Sequence, residues 1–292
     1  MPTMATSESV GLKRIVFGTD FSPVAERAAS YAKALALSFG AAVDLVHVFD
    51  TDVYLNDAEP RLHSLEERLA VRSEQLETLA TTFEEAGIAI ETELPMLRPS
   101  WTGLLKAAEA EHADLIVVAT RSKAQLKRVF VGSTVEELIR HAKEPVMTVG
   151  PNVPVAAEGP LAFQRILYAT DFTPEAEKAA RAALSFAVPG GAAIFVCHVI
   201  DCKEGARGTA VEGEVRETLE RQIEESPLGG YGCELTLAYG APAQAILSVA
   251  EKVKADLIVM GPRKHSFWLT HVKRGVTLEV LAQARCPVLT VH

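Results

Sequence analysis

The chain has 292 residues, 48% of them apolar and 23% charged, and its 38 acidic side chains outnumber 29 basic ones to leave a formal net charge of −9. That balance is ordinary for a globular protein and argues against bulk electrostatic binding to DNA or to an anionic membrane surface. No apolar run approaches the roughly 20 residues of a bilayer span, and residues 1–10 carry no signal-peptide hydrophobic region. A cytoplasmic protein is therefore expected, with neither DNA nor membrane among its partners. The four cysteines (Cys197, Cys202, Cys233, Cys286) contain no CxxC and read as reduced thiols. A metal set of Cys197, His198 and Cys202 is poorly placed, because neighbours on a strand point to opposite faces.

In chain order, residues 14–19 form a short β-branched and apolar run that stops at Asp20. Ser22 then offers an N-cap hydroxyl and Pro23 a first-turn proline, so a helix is expected from there to about Phe39, with Gly40 as its left-handed stop. Residues 42–49 are the second strand. Residues 61–85 read as an amphipathic helix with Leu62, Leu65, Leu69, Leu76, Leu79 and Phe83 on one stripe. The pattern lasts only about three heptads, so it reads as a helix packed on a sheet and not as a coiled coil. Residues 88–94 are strand three, 101–112 a helix and 115–119 strand four; 136–141 lie in the last helix, and 146–149 are strand five. Residues 150–160, rich in Pro, Ala and Gly, read as a linker. The order then repeats, with strands at 165–169, 193–199, 234–239, 257–260 and 288–291 and a shortened helix at 208–225.

The repeat extends to the letters. Phe17-Gly18-Thr19-Asp20-Phe21-Ser22-Pro23 returns as Tyr168-Ala169-Thr170-Asp171-Phe172-Thr173-Pro174, and His47-Val48 returns as His198-Val199. Ala113-Asp114-Leu115-Ile116-Val117 returns unchanged from Ala255 to Val259. A period this long means two duplicated domains, expected at 1–150 and 161–292, since solenoid repeats run about 20–50 residues. Continuously apolar strands such as 115–119 are those of parallel sheets covered on both faces. The expected fold is thus α/β, two doubly wound parallel five-stranded sheets of Rossmann-like type.

A strand ending in Thr-Asp-Phe-Ser, a second ending in His-Val, an Ala-Asp-Leu-Ile-Val strand and a closing Cys-Pro-Val resemble the universal stress protein family. The resemblance covers nearly the whole chain, one family domain per half, and implies an adenine nucleotide alpha hydrolase-like fold. In that family the fifth strands pair antiparallel across a dimer two-fold. A tandem chain is expected to make that pairing internally, between 146–149 and 288–291, leaving a pseudo-two-fold monomer that dimerises in turn.

The family has members that bind ATP and members that do not. The binders carry a loop of the form Gly-x2-Gly-x9-Gly-Ser/Thr after strand four, where backbone N–H groups and a helix N-terminus meet phosphate. Here the first copy reads Ala119-Thr120-Arg121-Ser122, nine residues, then Gly132-Ser133; the second has Gly261, Lys264, Arg274 and Gly275 at those positions. The first loop keeps its spacing and its final Gly-Ser, while the second falls further from the pattern, with Gly275 where the hydroxyl residue should stand. Ser133-Thr134-Val135-Glu136 also reads as a capping box that a helix would want without any phosphate. Asp20 can bind a ribose hydroxyl or simply satisfy backbone N–H groups, and Asp171 shares that duality. Arg121, Lys123, Lys127 and Arg128 either hold an anion where glycines once did or form a solvated basic loop. Trp101 and Trp268, expected beside the cleft, either stack on a base, anchor a partner or fill a gap between the halves.

The resemblance implies ATP, with Mg²⁺, as the ligand of the first half, contacted by Thr19, Asp20, Val48, Ala119, Arg121, Ser122, Gly132, Ser133 and Thr134. No residue reads as catalytic: there is no Gly-x-Ser-x-Gly elbow, no Walker loop and no His-Glu-x-x-His. His47 and His198 read as packed strand residues. The expected function is a stress-response protein that binds an adenine nucleotide. The alternative is an interaction or scaffold protein with two vestigial clefts; a true hydrolase would need a general base that the sequence does not offer.

Overall fold

The computed structural model describes residues 11–50, 64–120, 131–173, 176–200, 209–261 and 275–292. β1 (Arg14–Gly18) leads into α1 (Pro23–Phe39), which starts as its sequence dictates. The Ser22 hydroxyl accepts from the Ala25 amide, Pro23 opens the first turn, and Gly40 closes the helix at φ 67°. β2 (Ala42–Val46) is shorter than expected, although the amides of His47 and Phe49 still donate to the Glu93 and Pro95 carbonyls.

α2 (Leu65–Glu84) is fixed at its start by a complete Ser64/Glu67 capping box. The apolar stripe expected along this helix is buried only at its carboxyl end, through Leu76, Ala80 and Phe83, while Leu65 is exposed. A helix of this length runs about 30 Å, and strands of four or five residues run about 13–17 Å, so its first turns overhang the sheet. Leu62 lies outside the described residues.

The first half continues with β3 (Ile90–Glu93), α3 (Ser100–Ala110), β4 (Leu115–Ala119), α4 (Ser133–His141) and β5 (Val146–Val149). The second half repeats it as β6 (Arg165–Ala169), α5 (Ala176–Ala187), β7 (Ala193–Ile200), α6 (Thr209–Glu225), β8 (Glu234–Tyr239), α7 (Pro242–Val253), β9 (Leu257–Met260), α8 (Val276–Gln283) and β10 (Val288–Thr290).

The two five-stranded sheets join into one through the internal pairing expected between 146–149 and 288–291. Ten strands lie in the order β3-β2-β1-β4-β5-β10-β9-β6-β7-β8, parallel within each half and antiparallel only where β5 meets β10. There Val288 pairs with Thr148, Leu289 with Met147 and Thr290 with Val146. Both strands are buried along their whole length, so leaving either as an edge would expose an apolar ladder with unpaired amides. Each face of the sheet carries a core that runs through both halves, one holding Phe17, Phe83, Met147, Tyr168 and Leu289, the other Val16, Leu138, Val146, Leu278 and Val288.

The linker is not a loose tether. Val153 is fully buried, and the Arg27 guanidinium donates to the Pro151 and Val153 carbonyls. The Ala156 amide donates to Ser30 Oγ at 2.9 Å, and the Leu161 amide to the Ala34 carbonyl at 3.2 Å. α1 of the first half thus binds the chain that leads into the second.

Candidate functional site

In each half the strand order reverses between the first and fourth strands, which are parallel neighbours, so a crevice opens outside their carboxyl ends. Thr19 and Asp20 follow β1 there. Thr19 is buried, and its Oγ accepts from the Phe21 amide at 3.1 Å. Asp20 is half-buried, and its Oδ1 accepts from the Ser22 amide at 3.0 Å, so the backbone-satisfying role expected for this acid is real. Phe21 sits at φ 58°, a left-handed conformation that costs a bulky residue about 1–3 kcal/mol. His47, buried just past β2, meets the Thr19 carbonyl through Nδ1 at 2.8 Å and packs its ring on Phe21 with centroids 4.7 Å apart. It is a packed residue, as its position in the sequence indicates.

The second half builds the same turn. Thr170 Oγ accepts from the Phe172 amide, Phe172 has φ 57°, and His198 Nδ1 lies 3.0 Å from the Thr170 carbonyl. One detail differs. Asp171 Oδ1 takes the Thr173 hydroxyl at 2.8 Å as well as its amide, whereas the Ser22 hydroxyl caps α1.

The wall beside the turn is apolar. Val48 is buried against α3, where a Cβ on Gly103 would come within 2.6 Å of Val48 Cγ2. A Cβ on Gly18 would likewise meet Leu104 at 2.8 Å. These two glycines let α3 approach the sheet closely.

Ala119 ends β4 without a positive φ, so the alanine in place of the family's first glycine carries no backbone strain. Arg121 and Ser122, and the other basic residues of both loops, lie outside the described residues, as does Trp268. Gly132 is the N-cap of α4 with φ −62° and ψ 146°, and among the described residues a Cβ there would meet nothing within 4 Å. The capping box expected at Ser133 does not form. Ser133 is the first helical residue and exposed, and Glu136 pairs instead with Arg140 at 3.3 Å. The register is displaced by one: because Gly132 holds the cap position, Ser133 falls where its hydroxyl cannot reach back to its own first-turn amides. In the second half Gly275 occupies the same N-cap position, in the same backbone conformation, and not the hydroxyl position the loop alignment gives it. Thr134 follows Ser133 in the first turn of α4, half-buried.

Trp101 is the second residue of α3, in the helix expected from 101. It stacks on His141 at the end of α4, with centroids 4.7 Å apart and planes 15° from parallel, so it packs within the first half and not between the halves.

Among the described residues, one acidic group has metal-ligand spacing: oxygens of Asp44, Glu91 and Glu111 lie within 4.8 Å of one another. Sequence reasoning missed it. The signal was an aspartate inside the apolar strand Ala42–Val46, which demands a buried partner. Parallel pairing sets Asp44 beside Glu91, and Arg14 supplies that partner, reaching Asp44 at 2.6 Å, Glu111 at 3.2 Å and Glu91 at 3.4 Å. Burial pushes the Asp44 carboxyl above its ordinary range, and the Arg14 hydrogen bond offsets only part of this. Glu93 is raised too, by burial first and then by its acidic neighbours. Arg14 opens β1, whereas Asp20 follows its carboxyl end, so this group is a guanidinium-filled ion network remote from the crevice. The second half solves the same position differently, with Arg165 over the Phe195 ring at 5.0 Å and bonded to the Val253 carbonyl.

Cys197 and Cys286 are buried, and burial pushes both thiols up to about 12; Cys233 is pushed up to about 11. Cys202 lies outside the described residues. With so little thiolate, Cys197 and Cys286 should resist an aqueous disulfide reagent in the native protein and react only on unfolding. Mass-spectrometric mapping of the labelled sites checks this; rapid native labelling of Cys197 would contradict it.

Among the described residues no helix is long and apolar enough to cross a membrane. The model of the universal stress protein family matches residues 11–150 and again 162–292. A universal stress protein of Methanocaldococcus jannaschii is 34% identical over 139 residues, 47% of this chain and 81% of that protein. One from Synechocystis is 24% identical over 306 residues and aligns with 96% of this chain and 99% of its own length. The crystal structure of a universal stress protein from Archaeoglobus fulgidus superposes with a TM-score of 0.69 at 21% identity, over 95% of this chain and 97% of that one. Two halves with matching strands, turns and helix order, each fitted by the same family model, make this chain a tandem member of the universal stress protein family.

Proposed function

We propose that the chain is a cytosolic stress-response protein whose first half binds ATP, with Mg²⁺, in the crevice between β1 and β4, on an adenine nucleotide alpha hydrolase-like fold. In this reading Asp20 meets the ribose, Val48 flanks the adenine, and Gly132, Ser133 and Thr134 present backbone N–H groups and hydroxyls to phosphate beside Ala119, Arg121 and Ser122. The observation that carries it is the start of α4. Its cap position is a glycine in a conformation open to any residue, it brings no side-chain oxygen to the helix's first amides, and no described residue fills the space where a side chain would stand; α8 has the same glycine cap, but Val276 where α4 has the hydroxyl of Ser133. Such an end favours an anion. The second half serves as scaffold, its Asp171 engaged by Thr173. Because β5 and β10 already pair within the chain, a dimer of chains would use another surface.

Calorimetric titration with ATP–Mg²⁺ tests the reading. Asp20→Ala should weaken binding about tenfold, close to 1.4 kcal/mol, and Asp171→Ala should leave it unchanged. The absence of both binding heat and thermal shift at millimolar ATP would overturn the proposal in favour of a scaffold with vestigial clefts.

A further inference from the structure

One imidazole touches the chain on both sides of Asp20. The Thr19 carbonyl that receives His47 Nδ1 belongs to the peptide plane joining Thr19 to Asp20. A carbonyl only accepts, so His47 carries its proton on Nδ1. Since the peptide is planar, that bond fixes the rotation from which the Asp20 side chain departs. On the other side, Phe21 packs its ring on the same imidazole and donates its amide back to Thr19 Oγ. Phe21 holds a left-handed conformation that its side chain disfavours, the kind of local strain that persists only where surrounding contacts impose it.

Resting on the nucleotide reading above, we infer that His47 is a positioning residue for the nucleotide: by anchoring Thr19 and Phe21 it sets the direction in which Asp20 meets the sugar hydroxyls. His198 makes the same anchor in the second half, where the acid is engaged by Thr173, and serves as the internal control.

The donor and the ring are separable by substitution. Asparagine places an amide nitrogen where Nδ1 stood but discards the ring; leucine keeps much of the volume and has no donor. On the full chain, calorimetry with ATP–Mg²⁺ should show His47→Leu weakened by about tenfold, as expected when a buried acceptor loses its donor. His47→Asn should stay within about threefold of the parent although it melts lower, because affinity follows the donor and stability follows the packing. His198→Leu should lower the melting temperature and leave affinity unchanged. Should His47→Leu fail to fold, His47→Gln, whose nitrogen sits one bond too far, replaces it as the donor-misplaced variant and should bind as weakly as predicted for leucine. Parental affinity in the donor-lacking variant, or equal losses in it and His47→Asn, overturns this inference alone. Absence of ATP binding in the parent overturns it together with the nucleotide reading.

Discussion

Replacing Arg14 with alanine is expected to destabilise the protein by about 3–4 kcal/mol at pH 7. Removing one partner of a buried pair costs about 3–5 kcal/mol because the other charge stays behind. Asp44, only 1% exposed, is that charge, and its Oδ2 has no hydrogen-bond partner among the described residues even in the parent. A ceiling applies. Asp44 can take up a proton instead, and neutralising a carboxyl of ordinary value 3.8 at pH 7 costs about 4 kcal/mol. The sign of the pH dependence follows. The folded state raises this carboxyl, so it binds the proton more readily than the unfolded chain does. The penalty is absent below the ordinary value and grows as pH rises toward the folded one. The deficit of Arg14→Ala should therefore shrink to under about 2 kcal/mol at pH 5. The second half has an apolar solution at the equivalent site, Arg165 over Phe195. Arg14→Met combined with Asp44→Leu should accordingly recover most of the loss, since apolar replacement of a whole buried pair is often neutral. Urea melts of the single and double variants give the coupling directly. A loss below about 1 kcal/mol for Arg14→Ala would show the network to be an ordinary surface one.

Leu289→Ala is expected to cost about 2–5 kcal/mol, the range for emptying a fully buried aliphatic site. Leu289 stands opposite Met147 at the junction of the halves, and the core it belongs to also holds Phe17, Leu45 and Phe83 from the first half and Ile166 and Leu257 from the second. The halves should therefore melt together. Scanning calorimetry of the parent should give one transition, lowered as a whole by Leu289→Ala and equally as a whole by Leu45→Ala. Two transitions, of which Leu289→Ala moves only one, would show the halves to be independent despite the shared sheet.

Much of the fold was legible because its signals are local. Strands at 115–119, 146–149, 165–169, 234–239 and 257–260 appear with the bounds their apolar runs indicate. α1 begins and ends at its serine cap and left-handed glycine. The candidate site was legible only in part. Thr19, Asp20 and His47 could be singled out because they recur in both copies, but nothing in the spacing joins His47 to the Thr19 carbonyl across 28 positions. The Ser133 capping box failed for a local reason of another kind: a helix can start one residue either side of a motif, and Gly132 holds the cap. The stripe on α2 failed because periodicity reports which face is apolar and not how far the sheet beneath it extends.

Composition, periodicity and the repeat by themselves determined that this is a duplicated α/β protein with a matching strand-end turn in each half. Those properties reside in short stretches of chain, where propensity, caps and side-chain period act. The internal pairing of β5 with β10 was expected from the family resemblance; the tertiary structure alone decided that each face of the joined sheet carries a core shared by both halves, that the linker is bound to α1, that Arg14 fills the one acidic cluster with metal-ligand spacing among the described residues, and that a single imidazole holds both neighbours of Asp20. Each of these depends on strand register and helix approach. Register is selected by the burial of whole faces, so residues 30 or 100 positions apart meet only after the sheet has closed.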